Sequence, residues 1–289
     1  MLPVPETRTR WKTLVTGRDM GNDICFVLCS CDSYEDLWTP FCTQLVKFWP
    51  GFSLPIYLGT ESKTFHYDGL TIESPLKDTK ADLSLWSKRL EALLKKIPYD
   101  YLIFMLDDFL LTEPVNVSEV ERAYGIIKDN PSIGMIQLWP QIIGQVEKRK
   151  IENAVECEYP GYYLLKKKMP YRITTQVSIW RKDYMLKILR KHESAWHFEL
   201  LGTIRSRFYR EKVLVVKDKV MNYPDGGVIW RGKCCMENLS LFPEGLLKES
   251  FEKRGGIHRE EYMKMETKTT KNLSFYWGLV KSFTPKLCR

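Results

Sequence analysis

The sequence predicts an α/β protein built on a mostly parallel central sheet with helices on both faces. Short apolar segments of strand length alternate with segments of helical spacing over roughly the first 140 residues. Parallel strands joined by helices produce this alternation, because each crossover helix packs back onto the sheet. Hydrophobic residues make up 44% of the 289 residues and aromatic residues 13%, enough to build a full core. We therefore expect one large domain, or a domain with an appendage.

The first half of the chain supplies most of the predicted strands. Five apolar segments have the length of buried strands, at 23–30, 54–58, 69–73, 101–106 and 133–138. Three segments between them have helical spacing, at 35–49, 83–97 and 119–129. Asp82 and Ser118 stand where side chains cap the start of the second and third of these helices. Lys88 and Arg89 lie away from the apolar face of the second helix.

After residue 140 the alternation gives way to short extended pieces and loops. The last of these extended pieces is a predicted strand at 172–180. It is followed by predicted helices at 182–191 and 195–209, a strand at 212–216 and a Gly-rich loop at 223–233. The resulting division of the chain is a lead-in over 1–22, a folded domain over 23–235 with halves at 23–140 and 141–235, and a helical, basic extension over 236–289.

Several classes of protein are excluded by composition. No apolar run reaches the roughly 18 residues that a membrane span requires. The first 21 residues are polar and lack the apolar region of a signal peptide, so we expect a cytoplasmic protein. Three of the eight cysteines share the first apolar segment, and no pair of CxxC motifs occurs. We expect buried, reduced thiols and no zinc site.

The net charge of +8 is concentrated toward the end of the chain. From Lys264 onward, six Lys or Arg residues accompany one acid and several aromatic residues. This composition suggests a peripheral contact with the inner surface of a membrane. The alternative is a C-terminal helix packed on the domain with a solvated basic face. A nucleic-acid-binding module would spread basic and aromatic residues over one face, so no nucleic-acid partner is expected.

Asp107 and Asp108 are the strongest candidates for chemistry. They follow the apolar segment YLIFML at 101–106, where ligands of parallel sheets bind. Two adjacent carboxylates are costly to desolvate unless a cation compensates, and their oxygens suit Mg²⁺ or Mn²⁺. The alternative is a turn at the end of the strand, in which one Asp caps the next element. The position directly after six apolar residues favours the metal site.

Ser30 and Asp32 follow the first predicted strand, at the same edge of the sheet. The sequence carries neither a GxGxxG fingerprint nor a GxxxxGK[ST] loop, so this edge is not a Rossmann dinucleotide site or a P-loop. Asp32 could accept hydrogen bonds from a base or ribose, or it could cap the following helix. Spacing alone does not separate these two interpretations.

Glu199 is the candidate general base. It follows Trp196 and His197 at the start of a predicted helix, where the helix dipole favours an ionised carboxylate. The alternative is an ordinary acidic residue in the first turn. Lys88 and Arg89 could face a diphosphate from their helix, or form part of a solvated surface.

These features occur in an order that resembles a known family. The order is Ser30-Cys31-Asp32, then Trp86 to Leu90, Leu106 to Phe109, Gln176 to Lys182, and Trp196 to Glu199. It resembles bacterial GT-A glycosyltransferases that assemble capsular polysaccharide or lipopolysaccharide O-antigen, over about residues 23–235. The resemblance implies a Rossmann-like GT-A domain with a nucleotide-sugar half followed by an acceptor half.

The resemblance also implies roles for individual residues. Asp108 and Asp107 would hold a divalent metal, Mn²⁺ or Mg²⁺, and Glu199 would be the base of an inverting displacement. A nucleotide-sugar, expected to carry UDP, would contact Ser30, Asp32, Trp86, Lys88, Arg89 and Asp107. A pocket for the sugar or the acceptor would be formed by Gln176, Trp180, Trp196 and His197. A flexible loop over the donor would include Gly227, Arg231 and Gly232.

The implied reaction is sugar transfer to a hydroxyl of a glycan or lipid-linked glycan acceptor. The family usually has Asp-X-Asp, whereas Phe109 occupies the third position here. The doublet form also occurs in GT-A enzymes, with the second Asp on the metal. The competing enzyme class is another nucleotide-sugar enzyme, such as a nucleotidyltransferase. That class would normally carry a Gly-rich phosphate loop near the N-terminus, which is absent before residue 51.

Overall fold

A computed structural model describes residue 20 and residues 23–140 and 154–269. One large sheet organises this part of the chain. Its strands are β1 (Ile24–Cys29), β2 (Ile56–Gly59), β3 (Ile72–Glu73), β4 (Tyr101–Leu106), β5 (Ile133–Gln137), β6 (Ala154–Glu156), β7 (Tyr162–Leu165), β8 (Ser178–Arg181) and β9 (Lys212–Val216). Their order across the sheet is β3-β2-β1-β4-β8-β5-β9-β7-β6.

Helices connect and cover these strands. A 3-10 helix (Asp32–Leu37) leads into α1 (Trp38–Phe48), which is followed by α2 (Trp86–Lys96), α3 (Val117–Asp129), α4 (Lys182–Ile188) and α5 (Ala195–Ser206). A second, three-stranded sheet follows, made of β10 (Ile229–Trp230), β11 (Lys233–Cys235) and β12 (Gly256–Ile257). The helices around it are α6 (Met236–Leu239), α7 (Lys248–Arg254) and α8 (Arg259–Thr269).

Most strands of the large sheet run in one direction, which confirms the predicted α/β class. β1 is parallel to β2 and β4, β2 to β3, and β5 to β9. β8 is antiparallel to both β4 and β5, so β4 and β5 share a direction across it. β7 is likewise inserted between β9 and β6. The carboxyl ends of β1, β2, β4 and β5 therefore meet at one edge of the sheet.

Both faces of the sheet are buried, as expected for parallel strands covered by helices. Along β1, Phe26 and Leu28 face one core and Val27 and Cys29 face the other. The first core contains α1 and α3, and the second contains α2, α4 and α5. Continuous apolar strands such as β4 follow from this two-sided burial.

Several predicted boundaries are wrong for local reasons. α2 begins at Trp86, because Asp82 accepts a hydrogen bond from the Ser84 amide in a turn instead of capping a helix at 83. Asn116, not Ser118, caps α3 by accepting from the Glu119 amide. The predicted strand at 172–180 is shorter: β8 begins only at Ser178, because the preceding residues form hydrogen bonds with side chains of α5.

The C-terminal part of the described chain packs back onto the first half. A third apolar cluster joins Leu37 of the 3-10 helix and Leu110 to Val228, Cys234 and Leu247. This cluster positions β10, β11 and α7 beside the carboxyl edge of the large sheet. Of the predicted lead-in over 1–22 only residue 20 is described, and the basic segment that begins at Lys264 is described only as far as residue 269. No helix among the described residues is long and apolar enough to cross a membrane.

Candidate active site

Asp107 and Ser30 lie side by side at the ends of neighbouring strands. Cys29 of β1 is paired with Leu106 of β4, so the next residue of each strand reaches the same edge. The Ser30 hydroxyl donates to Asp107 Oδ2 and accepts a 2.7 Å hydrogen bond from Trp38 Nε1. Asp107 is only 6% exposed. Trp38 and Ser30 therefore fix the orientation of the first carboxylate of the doublet.

Ionising both carboxylates of the doublet is costly, and the surrounding protein does not remove this cost. Burial raises the pKa of Asp107 to about 7, against hydrogen bonding from Ser30. Burial and the neighbouring Asp107 charge raise the pKa of Asp108 well above its usual range. A divalent cation would relieve this cost, because it favours the ionised form of both groups.

The donor set fits a hard divalent cation shared with a substrate. Carboxylate oxygens suit Mg²⁺ and Mn²⁺, which usually keep several waters and bind one or two carboxylates plus phosphates. Among the described residues, no group of three or more His, Cys, Asp or Glu side chains is arranged to hold a metal. Asp107 and Asp108 would therefore supply the protein ligands, and substrate phosphates and water the others.

The Gly-rich loop covers the doublet. The Val228 amide donates a 2.9 Å hydrogen bond to the backbone oxygen of Asp108. Gly227 has φ +74°, and a Cβ at this position would stand 2.5 Å from Asp108 Oδ2. Asn238 donates to the Gly227 oxygen and holds the loop from the other side. The predicted donor loop thus contacts the predicted metal ligand.

Arg231 and Gly232 form the turn of the β10–β11 hairpin. Both have positive φ, +49° and +80°. A two-residue hairpin turn requires this conformation, which glycine adopts freely and arginine rarely. The Arg231 guanidinium lies over the Tyr262 ring of α8, 5.6 Å from its centre. The hairpin tip is thereby joined to α8 rather than directed at Asp108.

Arg89 supports the floor of the site. It is 8% exposed, and its Nε donates a 2.9 Å hydrogen bond to the backbone oxygen of Ser30. Its Nη1 donates to Glu61 Oε1 and to the Leu83 oxygen. The solvated-surface alternative is therefore wrong for Arg89. Lys88, by contrast, is paired with Asp82 at the surface and does not reach the doublet in this structure.

Asp32 organises the loop that follows β2. Its carboxylate accepts hydrogen bonds from the backbone amides of Glu61, Ser62 and Lys63. Burial alone would raise the pKa of Asp32, but these bonds and the Ser62 hydroxyl lower it. Asp32 does not cap the following helix, since the 3-10 helix has no side-chain cap. Asp32 instead positions the loop that follows β2.

Glu199 is held through one carboxylate oxygen. The Thr174 hydroxyl, the Thr175 hydroxyl and the Thr175 amide donate to Oε1 at 2.9, 2.8 and 2.6 Å. Burial raises the pKa of Glu199 above its usual value, although these hydrogen bonds oppose the rise. No hydrogen bond to Oε2 is found among the described residues.

Tyr223 connects Glu199 with the doublet. Its ring is stacked between Phe109 and Trp139, with centroids 4.5 and 4.3 Å away. Its hydroxyl donates to Gln176 Oε1 at 2.7 Å. Burial, then the charges of Asp108, Asp225 and Glu199, raise the pKa of Tyr223. The charges of both predicted functional carboxylates, Asp108 and Glu199, therefore act on the Tyr223 hydroxyl. Sequence spacing could not reveal this relationship.

The predicted pocket aromatics divide into buried and exposed residues. Trp180 is fully buried and packs on Tyr184 and Phe198, so it supports the site from the core. Trp86 lies at the start of α2 and contacts Phe198, joining α2 to α5. Trp196 is 53% exposed one turn before Glu199.

His197, the remaining member of the predicted pocket, lies beside the Trp196 ring, with centroids 5.3 Å apart. Ser194 caps α5 by accepting from the His197 amide. Trp196 and His197 therefore stand at the exposed start of the helix that carries Glu199.

Sequence reasoning missed a charged cluster beside the doublet. Asp36 is fully buried in its side chain and forms ion pairs with Lys253 and Arg254 of α7. The Arg254 guanidinium lies over the Tyr34 ring, 4.2 Å from its centre. Burial and the charges of Asp107 and Asp108 raise the pKa of Tyr34 to about 12. No sequence pattern marks this cluster, because more than 200 residues separate Asp36 from its partners.

Similar proteins are found only among solved structures. No protein-family model matches the sequence, and no curated protein matches it. The structure of Staphylococcus aureus TarS 1-349 in complex with UDP-GlcNAc is 11% identical, with a TM-score of 0.45 over 90% of this chain and 79% of that one. Another structure of TarS 1-349 is 14% identical, with a TM-score of 0.44. The similarity covers 69% of this chain and 59% of the TarS chain.

A third solved structure is the CMP:2-keto-3-deoxy-manno-octonic acid synthetase complexed with CTP. It is 11% identical, with a TM-score of 0.39 over 70% of this chain and 93% of that one.

Proposed function

We propose that this chain is a metal-assisted glycosyltransferase that uses a nucleoside-diphosphate sugar, expected to carry UDP. One observation carries the proposal: the doublet of buried Asp107 and half-buried Asp108 lies under Gly227, at the edge of the sheet where Ser30 and Asp32 also lie. Parallel sheets bind nucleotides at this edge. A doublet whose ionisation is suppressed by burial gains most from a cation and the phosphates it bridges.

The residues around the doublet have separate roles in donor binding. Ser30 and Trp38 hold Asp107, so that Asp108 is the carboxylate under the loop. Arg89 fixes the backbone of Ser30, and Asp32 fixes the loop after β2. When bound, a divalent cation would stabilise the negative charge that develops on the leaving diphosphate.

Glu199 would act as the general base. In the proposed step, the acceptor hydroxyl oxygen attacks the anomeric carbon of the donor and its proton passes to Glu199 Oε2. The bond between the anomeric carbon and the diphosphate oxygen breaks, and the nucleoside diphosphate leaves with that electron pair. Thr174 and Thr175 hold the other carboxylate oxygen and thus orient the base. A single displacement inverts the anomeric carbon.

The acceptor side would lie around α5. Trp196 is exposed one turn before Glu199, and aromatic faces of this kind suit the apolar face of a sugar ring. Gln176 is held by Tyr223 near the same site. We propose a glycan or lipid-linked glycan acceptor in surface polysaccharide synthesis, as the sequence resemblance implies. A peripheral contact of the basic C-terminus with the inner membrane surface remains a prediction.

A donor screen tests this proposal. The protein is heated with a panel of nucleotide-sugars, each with and without Mn²⁺, and the unfolding temperature is measured. A true donor at a hundredfold excess over its Kd stabilises the fold by about 2.7 kcal/mol. We expect stabilisation by UDP-sugars that depends on Mn²⁺, followed by release of UDP when acceptor is added. Release of pyrophosphate from a nucleoside triphosphate and a sugar phosphate would instead identify a nucleotidyltransferase.

A further inference from the structure

We propose that Arg254 of α7 binds the diphosphate of the donor, and that Asp36 holds the guanidinium in place for this contact. The inference rests on the proposed function and assigns a role to the C-terminal part of the chain. It concerns a residue that lies beyond the predicted catalytic domain, which was expected to end at 235.

The cluster contains more positive charge than its structural role requires. Asp36 is one buried carboxylate, and a single cation would neutralise it. Two cations are present instead: Lys253 Nζ and Arg254 Nη2 both contact Asp36 Oδ1 at 2.7 Å. Both side chains also donate to the backbone oxygen of Ser33 at 2.9 Å. The cluster therefore has a net positive charge beside a site that would bind an anion.

The two cations differ in position. Lys253 is 40% exposed, whereas the Arg254 side chain is 8% exposed. Arg254 lies over the Tyr34 ring, 4.2 Å from its centre. Tyr34 packs against the third apolar cluster, which contains Leu110 and Val228, and the Val228 amide donates to the backbone oxygen of Asp108. Arg254 is thus the less exposed cation of α7, on the face that packs beside the doublet.

The hydrogen bonds of Arg254 use two of its three guanidinium nitrogens. Nε donates to Asp36 Oδ2, and Nη2 donates to Asp36 Oδ1 and the Ser33 oxygen. Nη1 has no hydrogen-bond partner among the described residues. A guanidinium fixed on one side by a carboxylate is already ordered, so binding a phosphate oxygen costs it little rotamer entropy. This arrangement suits a planar contact with the diphosphate.

Two matched double variants test the assignment. D36N/R254M and D36N/K253M each remove the buried carboxylate together with one of its two cations. Neither variant therefore contains a buried carboxylate that has lost a cation. We measure the affinity for UDP with Mn²⁺ by calorimetry, and repeat the measurement with uridine, which lacks the diphosphate. D36N/R254M is expected to weaken UDP binding about tenfold, the size of one charge-assisted hydrogen bond. D36N/K253M is expected to bind UDP like D36N alone.

The outcomes separate this inference from the proposed function. Equal UDP affinities of the two double variants would overturn the role of Arg254, even if the wild-type protein binds UDP well. An equal loss of uridine and UDP affinity in D36N/R254M would also overturn it, because a structural defect affects both ligands. If D36N/R254M does not fold, R254K replaces it, and UDP affinity equal to that of the wild type would overturn the assignment. Failure of the wild-type protein to bind UDP at all would instead count against the proposed function.

Discussion

Gly227 lies against Asp108 so closely that the loop leaves no room for a side chain at this position. A Cβ on Gly227 would stand 2.5 Å from Oδ2 and 2.8 Å from Cγ of Asp108. Glycine is required here for two separate reasons, its positive φ of +74° and this contact. The covering loop and the carboxylate are therefore built to fit each other, and a change in one should displace the other.

Gly227→Ala should therefore lower both stability and donor affinity. Gly232 provides the matched control, because its φ is +80° but a Cβ there would meet nothing within 4 Å. We expect Gly232→Ala to destabilise the protein by about 1 kcal/mol through backbone strain alone. Gly227→Ala should cost more and weaken UDP binding, as measured by urea unfolding and calorimetry. Identical behaviour of the two variants would mean that the loop does not press on Asp108.

Glu199→Gln should abolish turnover while sparing donor binding. The Gln carbonyl can still accept from Thr174 and Thr175, so the fold is expected to remain intact, but the side chain can no longer take a proton. We expect a fall in kcat of about 10²- to 10⁴-fold, with an unchanged Kd for UDP. Turnover at the wild-type rate would exclude Glu199 as the base.

The pH dependence of the wild-type enzyme gives a second test of the same residue. The base must be ionised, and burial raises the pKa of Glu199 above 4.5. With saturating donor and Mn²⁺, which hold the Asp107–Asp108 doublet ionised, kcat should therefore fall as pH decreases through a value above 4.5, and its acid limb should have unit slope. In the residual activity of Glu199→Gln this limb should be missing. Its persistence would assign it to another group.

Acid stability should depend on Asp36. Its ion pairs with Arg254 and Lys253 outweigh burial and lower its pKa to about 2, from 3.8 for the ordinary side chain. A carboxyl whose pKa is lower in the folded state stabilises the protein above pH 4, and this contribution is lost as pH falls toward 2. It amounts to about 2 kcal/mol. The unfolding free energy of Asp36→Asn should be lower than wild type at pH 6, and the two curves should converge near pH 2.

A buried ion pair should dominate the stability of the acceptor half. Glu193 and Arg205 are 0% and 3% exposed in their side chains and form two hydrogen bonds of 2.6 and 2.7 Å. The Glu193 amide donates to the Ser87 hydroxyl oxygen at 2.9 Å, and the Ser87 amide donates to the Glu193 backbone oxygen at 3.2 Å, which ties α2 to the residues before α5. Arg205→Met should cost about 3–5 kcal/mol, because it takes the cation away from a buried carboxylate.

A matched double variant checks this explanation. Adding Glu193→Leu to Arg205→Met removes the unpaired charge, so the double variant should recover much of the lost stability. Denaturant unfolding of the wild type, the single variant and the double variant measures this directly. If the double variant is no more stable than Arg205→Met alone, lost packing and not an unpaired charge explains the defect.

The sequence predicted the large sheet better than the site. β4 and β9 match their predicted bounds, because continuous apolar strands buried on both faces leave a clear signal. Ser30, which follows β1, and Asp107, which follows β4, could be assigned to one edge from the parallel arrangement alone. Helix starts were less accurate, since Asp82 and Asn116 compete locally for backbone amides that propensity does not resolve.

The parts of the site that depend on long-range packing could not be predicted. Tyr223 is stacked between Phe109 and Trp139, which lie far from it in sequence, and no periodicity marks such a contact. Arg254 meets Asp36 only because the third apolar cluster folds the C-terminal segment over the 3-10 helix. Arg89 was assigned to a polar helix face, but its stem is buried where α2 passes the end of β1.

The central claim is that Asp108 binds a divalent cation shared with the donor diphosphate. The most direct test is a crystal of the protein soaked with UDP and Mn²⁺, with the metal located by anomalous scattering. We predict a manganese peak about 2.1 Å from a carboxylate oxygen of Asp108, with diphosphate oxygens completing the coordination. The same soak of Asp108→Asn should show neither ligand at this position. Manganese and UDP bound elsewhere in the wild-type crystal, or bound equally in Asp108→Asn, would contradict the account.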